Sequence, residues 1–311
     1  MLLEREDINP NVADTRSGQT PLLRAVMGRH KGIVKLLLEQ PGVNPNTADT
    51  RYGRTPLWWA ARGGYQEVVK LLLERGDINP NVTDIEHGKT PLWWAAQGGY
   101  EGVAKLLLER DDIIPGMADT ESGQTMLLWA AKHGHERVVK SVLEWKDINP
   151  NIADAFYGRT PLSWAAESGC EGIVQLLLKR EGIDPNLADS RYSRTPLWWA
   201  AQGGHEGLVK LLLERGDVDP NTSDTFYYRT PLLWAARSGS EGIVKLLLER
   251  EDLNPDIRAL GGETALQLAT SQGHAGVVKL LSKRKRSLPP LIDIGRAKLP
   301  KRDILNSDSE K

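Results

Sequence analysis

Four of the six histidines (His30, His135, His205 and His274) and the single cysteine, Cys170, share one sequence position, each ten residues after a threonine. Imidazole and thiol build metal sites and nucleophile–base pairs, and both chemistries need the groups to converge on one point in space. Here they recur at a fixed interval, with Tyr65, Tyr100 and Ser240 at the same position elsewhere. Groups one interval apart on stacked helices stand roughly 10 Å from each other, which makes a ladder and not a site. His133 and Glu136, beside His135, do not form the HExxH pair of a helical zinc site. Neither GxxxxGK[ST] nor GxGxxG follows a strand. Nothing in these residues supports catalysis, a metal or a cofactor, and Cys170 reads as packing.

A second candidate chemistry is phosphate recognition, because a basic residue precedes the threonine at Arg54, Lys89, Arg159, Arg194 and Arg229. Each of these units also carries an aspartate (Asp49, Asp84, Asp154, Asp189, Asp224), and 40 Lys/Arg stand against 41 Asp/Glu in the whole chain. A nearly neutral chain lacks the field that binds a polyphosphate backbone, so direct nucleic-acid binding is not expected.

The elements that carry these residues repeat. Threonine recurs every 35 residues at Thr20, Thr55, Thr90, Thr125, Thr160, Thr195 and Thr230, and once more at Thr264. Proline marks the same period from Pro10 to Pro255, so eight units fill most of the 311 residues. Within a unit, Thr55 can cap a helix and Pro56 suits its first turn. A glycine nine residues on (Gly64 and its equivalents, Arg29 in the first unit) marks a left-handed stop, giving a first helix of about three turns. Val68, Val69, Leu71, Leu72 and Leu73, with Lys70 and Glu74 opposite, have the spacing of a second, amphipathic helix. The segment GDINPN ends it, and Asp84 opens a turn towards the next threonine. Such a unit cannot bury its apolar face alone, so the expectation is an all-α solenoid of stacked helix–turn–helix units with protruding turn or hairpin tips.

The string G-x-TPL-x-x-AA-x-x-G-[HY]-x-x-VVKLLL-x-x-G-D-x-x-PN-x-x-D resembles the ankyrin repeat over roughly residues 15 to 281. The units are longer than the family's usual 33 residues, with one extra residue in GDINPN and one in the tip DTRYG, and long units of this kind are similar to fungal ankyrin arrays. Tryptophan, leucine or serine replaces the family's histidine after TPL, at Trp58, Trp93, Leu128, Ser163, Trp198 and Leu233, which puts that histidine's hydrogen bonds in question. The resemblance implies a non-enzymatic protein-binding scaffold whose tips and first-helix ends line a concave groove.

Three regions are expected: residues 1–17, the close of a partial repeat and the first tip; 18–281, the array; and 282–311, a basic and disordered tail. MLLEREDINPN at the start matches LLLEREDLNPD at Leu246–Asp256. Either the first unit tolerates an exposed face or the front of a longer parent, such as an NTPase–ankyrin receptor, is missing. From Lys283 on, nine Lys/Arg face four Asp/Glu. Lys283, Arg284, Lys285 and Arg286 are a candidate nuclear-import signal or a solubilising helix end. One cysteine forms no internal disulfide, no apolar run approaches the ~20 residues of a membrane span, and the chain is expected to act as a cytoplasmic or nuclear monomer.

Trp59, Trp94, Trp129, Trp164, Trp199 and Trp234 share a position four after the threonine, whereas the two end units hold Arg24 and Leu268 there. A residue that is tryptophan wherever a unit has two neighbours points to inter-repeat packing, with partner contact as the alternative. Partner binding is sought instead at the positions the scaffold leaves variable. These are the tips, with Phe156, Tyr157, Arg159, Arg191, Tyr192, Arg194, Phe226, Tyr227 and Arg229, and the first-helix ends, with Glu167, Gln202 and Arg237. Aromatics and arginine on exposed turns are an interface signature. The stretch from Asp154 to Ser238 is the favoured face. A transcription coregulator, a sensing array split from a receptor, and an enzyme inhibitor or substrate adaptor all remain open as pathways.

Overall fold

The computed structural model describes residues 9–114, 116, 123–145 and 148–287. They contain sixteen helices, two per unit, and no β-strand. Units are numbered here by their threonines, from Thr20 in unit one to Thr264 in unit eight. First helices stack on first helices, and second helices on second helices.

The first helix of unit two runs Pro56–Arg62, and the Thr55 hydroxyl accepts from the Trp58 amide at 3.1 Å. The same cap closes every unit, and Pro occupies the first turn in six of them, Met126 and Ala265 being the exceptions. The helix spans two turns and not the expected three. The left-handed residue falls where expected, at Gly64 with φ +69°, and Arg29 with φ 59° takes its place in unit one. However, Gly63 before it is already the cap, which leaves seven residues inside.

Successive units are tied at three levels. Backbone amides in one tip donate to carbonyls of the tip before it, as Ser190 to Tyr157, Thr225 to Tyr192 and Leu260 to Tyr227, each at 2.8 Å. The expected hairpin tips are therefore hydrogen-bonded turns. Six of the turns are closed by an aspartate, from Asp14 to Asp224, whose Oδ1 accepts from the amide three residues on.

At the opposite end of the unit, the asparagine after the marker proline builds a ladder. Asn186 Nδ2 donates to the Asp217 carbonyl at 2.6 Å, and Asn186 Oδ1 accepts from the Asp219 amide at 2.8 Å. Asn11, Asn46, Asn81, Asn151 and Asn221 make the same two bonds. The extra residue in GDINPN thus lies in a segment that joins units, and unit four alone has glycine, Gly116, in this place. Nearby, Arg75, Arg110, Arg215 and Arg250 each grip an aspartate two residues on and reach a leucine carbonyl of the preceding unit.

Tryptophan fills the space between first helices. Trp58, Trp93 and Trp198 are essentially inaccessible, and each meets the later tryptophan of the following unit: Trp94 at 5.3 Å, Trp129 at 5.5 Å and Trp234 at 5.4 Å. Edge-on indole pairs at such distances add to the area they bury. Two of the tryptophans that replace the family's histidine make side-chain hydrogen bonds to the next tip: Trp58 Nε1 donates to Asp84 Oδ2 at 3.1 Å and Trp198 Nε1 to the Arg229 carbonyl at 2.8 Å. Burial pushes the Asp84 carboxyl up, yet hydrogen bonds from Trp94, the His87 amide and Trp58 together hold it below the usual carboxylate range.

Two of the repeated histidines join successive units. His205 and His274 approach carbonyls of the preceding unit, Glu167 at 3.1 Å and Arg237 at 2.9 Å.

Candidate protein-binding face

The tips and the first-helix ends share one face. The decisive contact is Arg159, from a tip, donating to Glu167 Oε2 at a first-helix end, 2.6 Å away. Phe156 and Phe226 stand out from this face at 65% and 54% exposed, with Arg191, Tyr157 and Tyr227 beside them. Asp154 and Asp224 hold the backbone beneath them, accepting from the amides of Phe156 and Tyr157 and of Phe226 and Tyr227. The rings partly support each other: Tyr192 meets Phe226 at 5.7 Å and Phe226 meets Tyr227 at 4.5 Å, both edge-on. Gln202 and Arg237 are exposed at the helix ends.

Not every residue read as free is free. Arg159 lies flat between rings, 3.7 Å from the Trp199 centroid and 4.5 Å from Trp164, and its charge is satisfied by Glu167. Arg194 sits 4.2 Å over Trp198 and 4.4 Å over Tyr192. Arg229, 8% exposed, covers Tyr227 and Trp234. The reason is geometric: a residue just before the capping threonine points back over the first helix, where the tryptophans are. A guanidinium over an indole face is attracted by the ring quadrupole.

The same pattern continues at Arg54 and Lys89, which also precede a threonine, and at Arg62 and Lys132 on first-helix ends. Arg54 lies 4.0 Å over Tyr52 and 4.5 Å over Trp58, Arg62 between Trp58 and Trp94, Lys89 3.7 Å over Trp93, and Lys132 4.3 Å over Trp164. The signal was present as a cation one before five of the threonines and an indole three or four after each of these. In unit four, His133 and His135 both stack on Trp129, at 4.4 and 4.8 Å. Trp59, Trp94 and Trp234 remain half-buried beneath the stripe.

Two other candidate features lie apart from this face. Burial, aided by Glu136, pushes the Cys170 thiol up, which disfavours the nucleophilic thiolate. The last helix, Ala275–Ser287, carries Lys283 to Arg286 on its final turns. The side chains of Arg284, Lys285 and Arg286 lie outside the described residues, as do Glu121 and Ser122 of the unit-four tip. No helix among the described residues is long and apolar enough to cross a membrane.

The family model for ankyrin repeats, in three copies, matches overlapping windows from residues 1–84 to 197–289 without a gap between them. The chain belongs to the ankyrin-repeat family. Ankyrin repeats generally mediate protein–protein interaction and are typically non-enzymatic. No curated protein matches this ankyrin array at a significant level.

Proposed function

We propose that this ankyrin array is a non-enzymatic scaffold that binds a partner protein along the tip face of the units from Asp154 to Ser238. The observation that carries this reading is the exposure of Phe156, Phe226 and Tyr227 on turns that are already closed by Asp154 and Asp224 and joined by backbone hydrogen bonds. The hydrogen bonds that close and join these turns are made by backbone and aspartate and not by the rings, which leaves the exposed faces of Phe156 and Phe226 for a partner. Large aromatics with neighbouring arginine are the side chains that dominate protein interfaces.

The test is an affinity pull-down from native extract with the wild-type chain beside a variant in which Phe156, Tyr157, Phe226 and Tyr227 are serine, after circular dichroism shows equal folding. A specific partner held by the wild type and lost by the variant supports the tip face. A partner retained by both refutes it. The basic run Lys283–Arg286 supports a nuclear role, such as that of a transcription coregulator, through its composition alone.

A further inference from the structure

The tip face is unevenly neutralised, and the repeat supplies its own reference for what is missing. In unit five the residue before the threonine and the residue at the first-helix end are Arg159 and Glu167, which meet at 2.6 Å. In unit two, Arg54 is met at 2.8 Å by Glu86 of the next tip. The equivalent positions hold Arg194 and Gln202 in unit six and Arg229 and Arg237 in unit seven. Among the described residues no carboxylate lies within ion-pairing distance of Arg194, Arg229 or Arg237.

The acids whose charges act on these arginines are Asp224 and Asp189 for Arg194, and Asp224 and Glu263 for Arg229, none of them in an ion pair with it. Asp189 Oδ1 accepts from the amides of Arg191 and Tyr192, and Asp224 Oδ1 from those of Phe226 and Tyr227. The Nε atoms of Arg194 and Arg229 are buried without an acceptor, as are those of Arg54 and Arg159, and the Oδ2 atoms of Asp189 and Asp224 are buried without a donor, so what sets units six and seven apart is the missing ion pair. Burial, and next the like charge of Arg237, pull the Arg229 guanidinium below its ordinary value, with Asp224, Tyr227 and Glu263 only partly opposing them. Where unit five places a glutamate against its arginine, unit seven places a second arginine.

We infer that units six and seven bind an acidic, extended segment of a partner protein, with carboxylates three residues apart, one taken by Arg194 and the next by Arg229 and Arg237. The inference rests on the protein-binding reading of the tip face and gives its partner a chemistry. The spacing follows from roughly 10 Å per stacked unit and about 3.1 Å per residue of a polyproline-II segment, in which residues three apart share a face. Glu167 on Arg159 is the internal copy of the contact, and charge-assisted bonds of this kind are the strong ones. Between the two carboxylates, an apolar side chain of the segment rests on the exposed edge of Phe226.

The experiment is selection of a displayed library of random dodecapeptides on the full chain, followed by titration of the enriched peptides, made synthetically, against three proteins. These are the wild type, Arg237→Glu, and the double variant Phe226→Ser, Tyr227→Ser. Arg237→Glu restores in unit seven the ion pair of unit five, so it is expected to melt no lower than the wild type while closing the site. The expected result is enrichment of Asp or Glu at a spacing of three. Affinity should then drop about tenfold or more in Arg237→Glu, and equally when the peptide's Glu residues become Gln.

Absence of any enriched peptide, or an acidic peptide indifferent to Arg237→Glu, overturns the inference. So does tighter binding of a single-stranded oligonucleotide at the same site, which would assign these arginines to phosphate. Neutral peptides lost only in the Phe226/Tyr227 variant overturn it while leaving the tip face as the binding face. Peptides indifferent to both variants overturn the face itself.

Discussion

Gly116 interrupts the asparagine ladder, and mending it should stabilise the array. In six other units an asparagine at this position donates to a carbonyl of the next unit at 2.6 to 2.8 Å and accepts from an amide two residues further on at 2.7 to 3.1 Å. A side chain at Gly116 meets little resistance: its Cβ would lie 3.9 Å from Ile148 Cδ1, an ordinary contact, with no left-handed backbone to strain. Two hydrogen bonds at about 0.5–1.5 kcal/mol each, reduced because the sites are open to water, give an expected gain of about 1 kcal/mol. Replacing a glycine adds about 0.4–1 kcal/mol by restricting the unfolded chain, which Gly116→Ala measures by itself.

The assay is urea unfolding followed by circular dichroism, with Gly116→Ala, Gly116→Asn and the mirror variant Asn186→Ala beside the wild type. Gly116→Asn should exceed Gly116→Ala by about 1 kcal/mol, and Asn186→Ala should lose about 1–2 kcal/mol for its two bonds. An asparagine no better than alanine at 116, together with an Asn186→Ala variant as stable as the wild type, would refute the claim that the ladder ties the units.

Trp164 is 8% exposed, donates to Asp154 Oδ2 at 2.9 Å and lies under Arg159 and Lys132; Trp164→Ala should cost about 3–5 kcal/mol in the same unfolding assay. Iodide should quench native fluorescence only in part, through the half-buried Trp59, Trp94 and Trp234, while Trp58, Trp93 and Trp198 stay shielded; complete quenching before unfolding would contradict the packing. Burial, then His133, hold the His135 imidazole below its ordinary value of 6.5, against a smaller opposing pull from Glu101. The unfolded chain therefore binds that proton first, so stability present above about pH 6.5 should be lost as pH falls towards the lower folded value, and His135→Gln should flatten that part of the profile. Replacing Lys283, Arg284, Lys285 and Arg286 by serine in a fluorescent fusion should shift the protein from nucleus to cytoplasm; unchanged distribution would remove the import reading.

The order of elements, their caps and their stops were legible because they are local. Thr55 and Pro56 start a helix, and Gly64 ends it, through bonds and dihedral angles that span a few residues, and a period of 35 repeats them until stacking is unavoidable. That the histidine and cysteine positions form a ladder was legible for the same reason, since a fixed interval separates them. What tertiary structure alone decided concerns partners 26 to 38 residues away. Trp58 reaches Asp84, Asn186 joins Asp217, and His205 reaches the Glu167 carbonyl. Composition could not tell that Arg159 is neutralised by Glu167 while Arg194 and Arg229 lie over rings without a carboxylate, because charge balance along the chain says nothing of distance. The sequence determined that the units stack; only the stacking determined which arginines stand outside an ion pair.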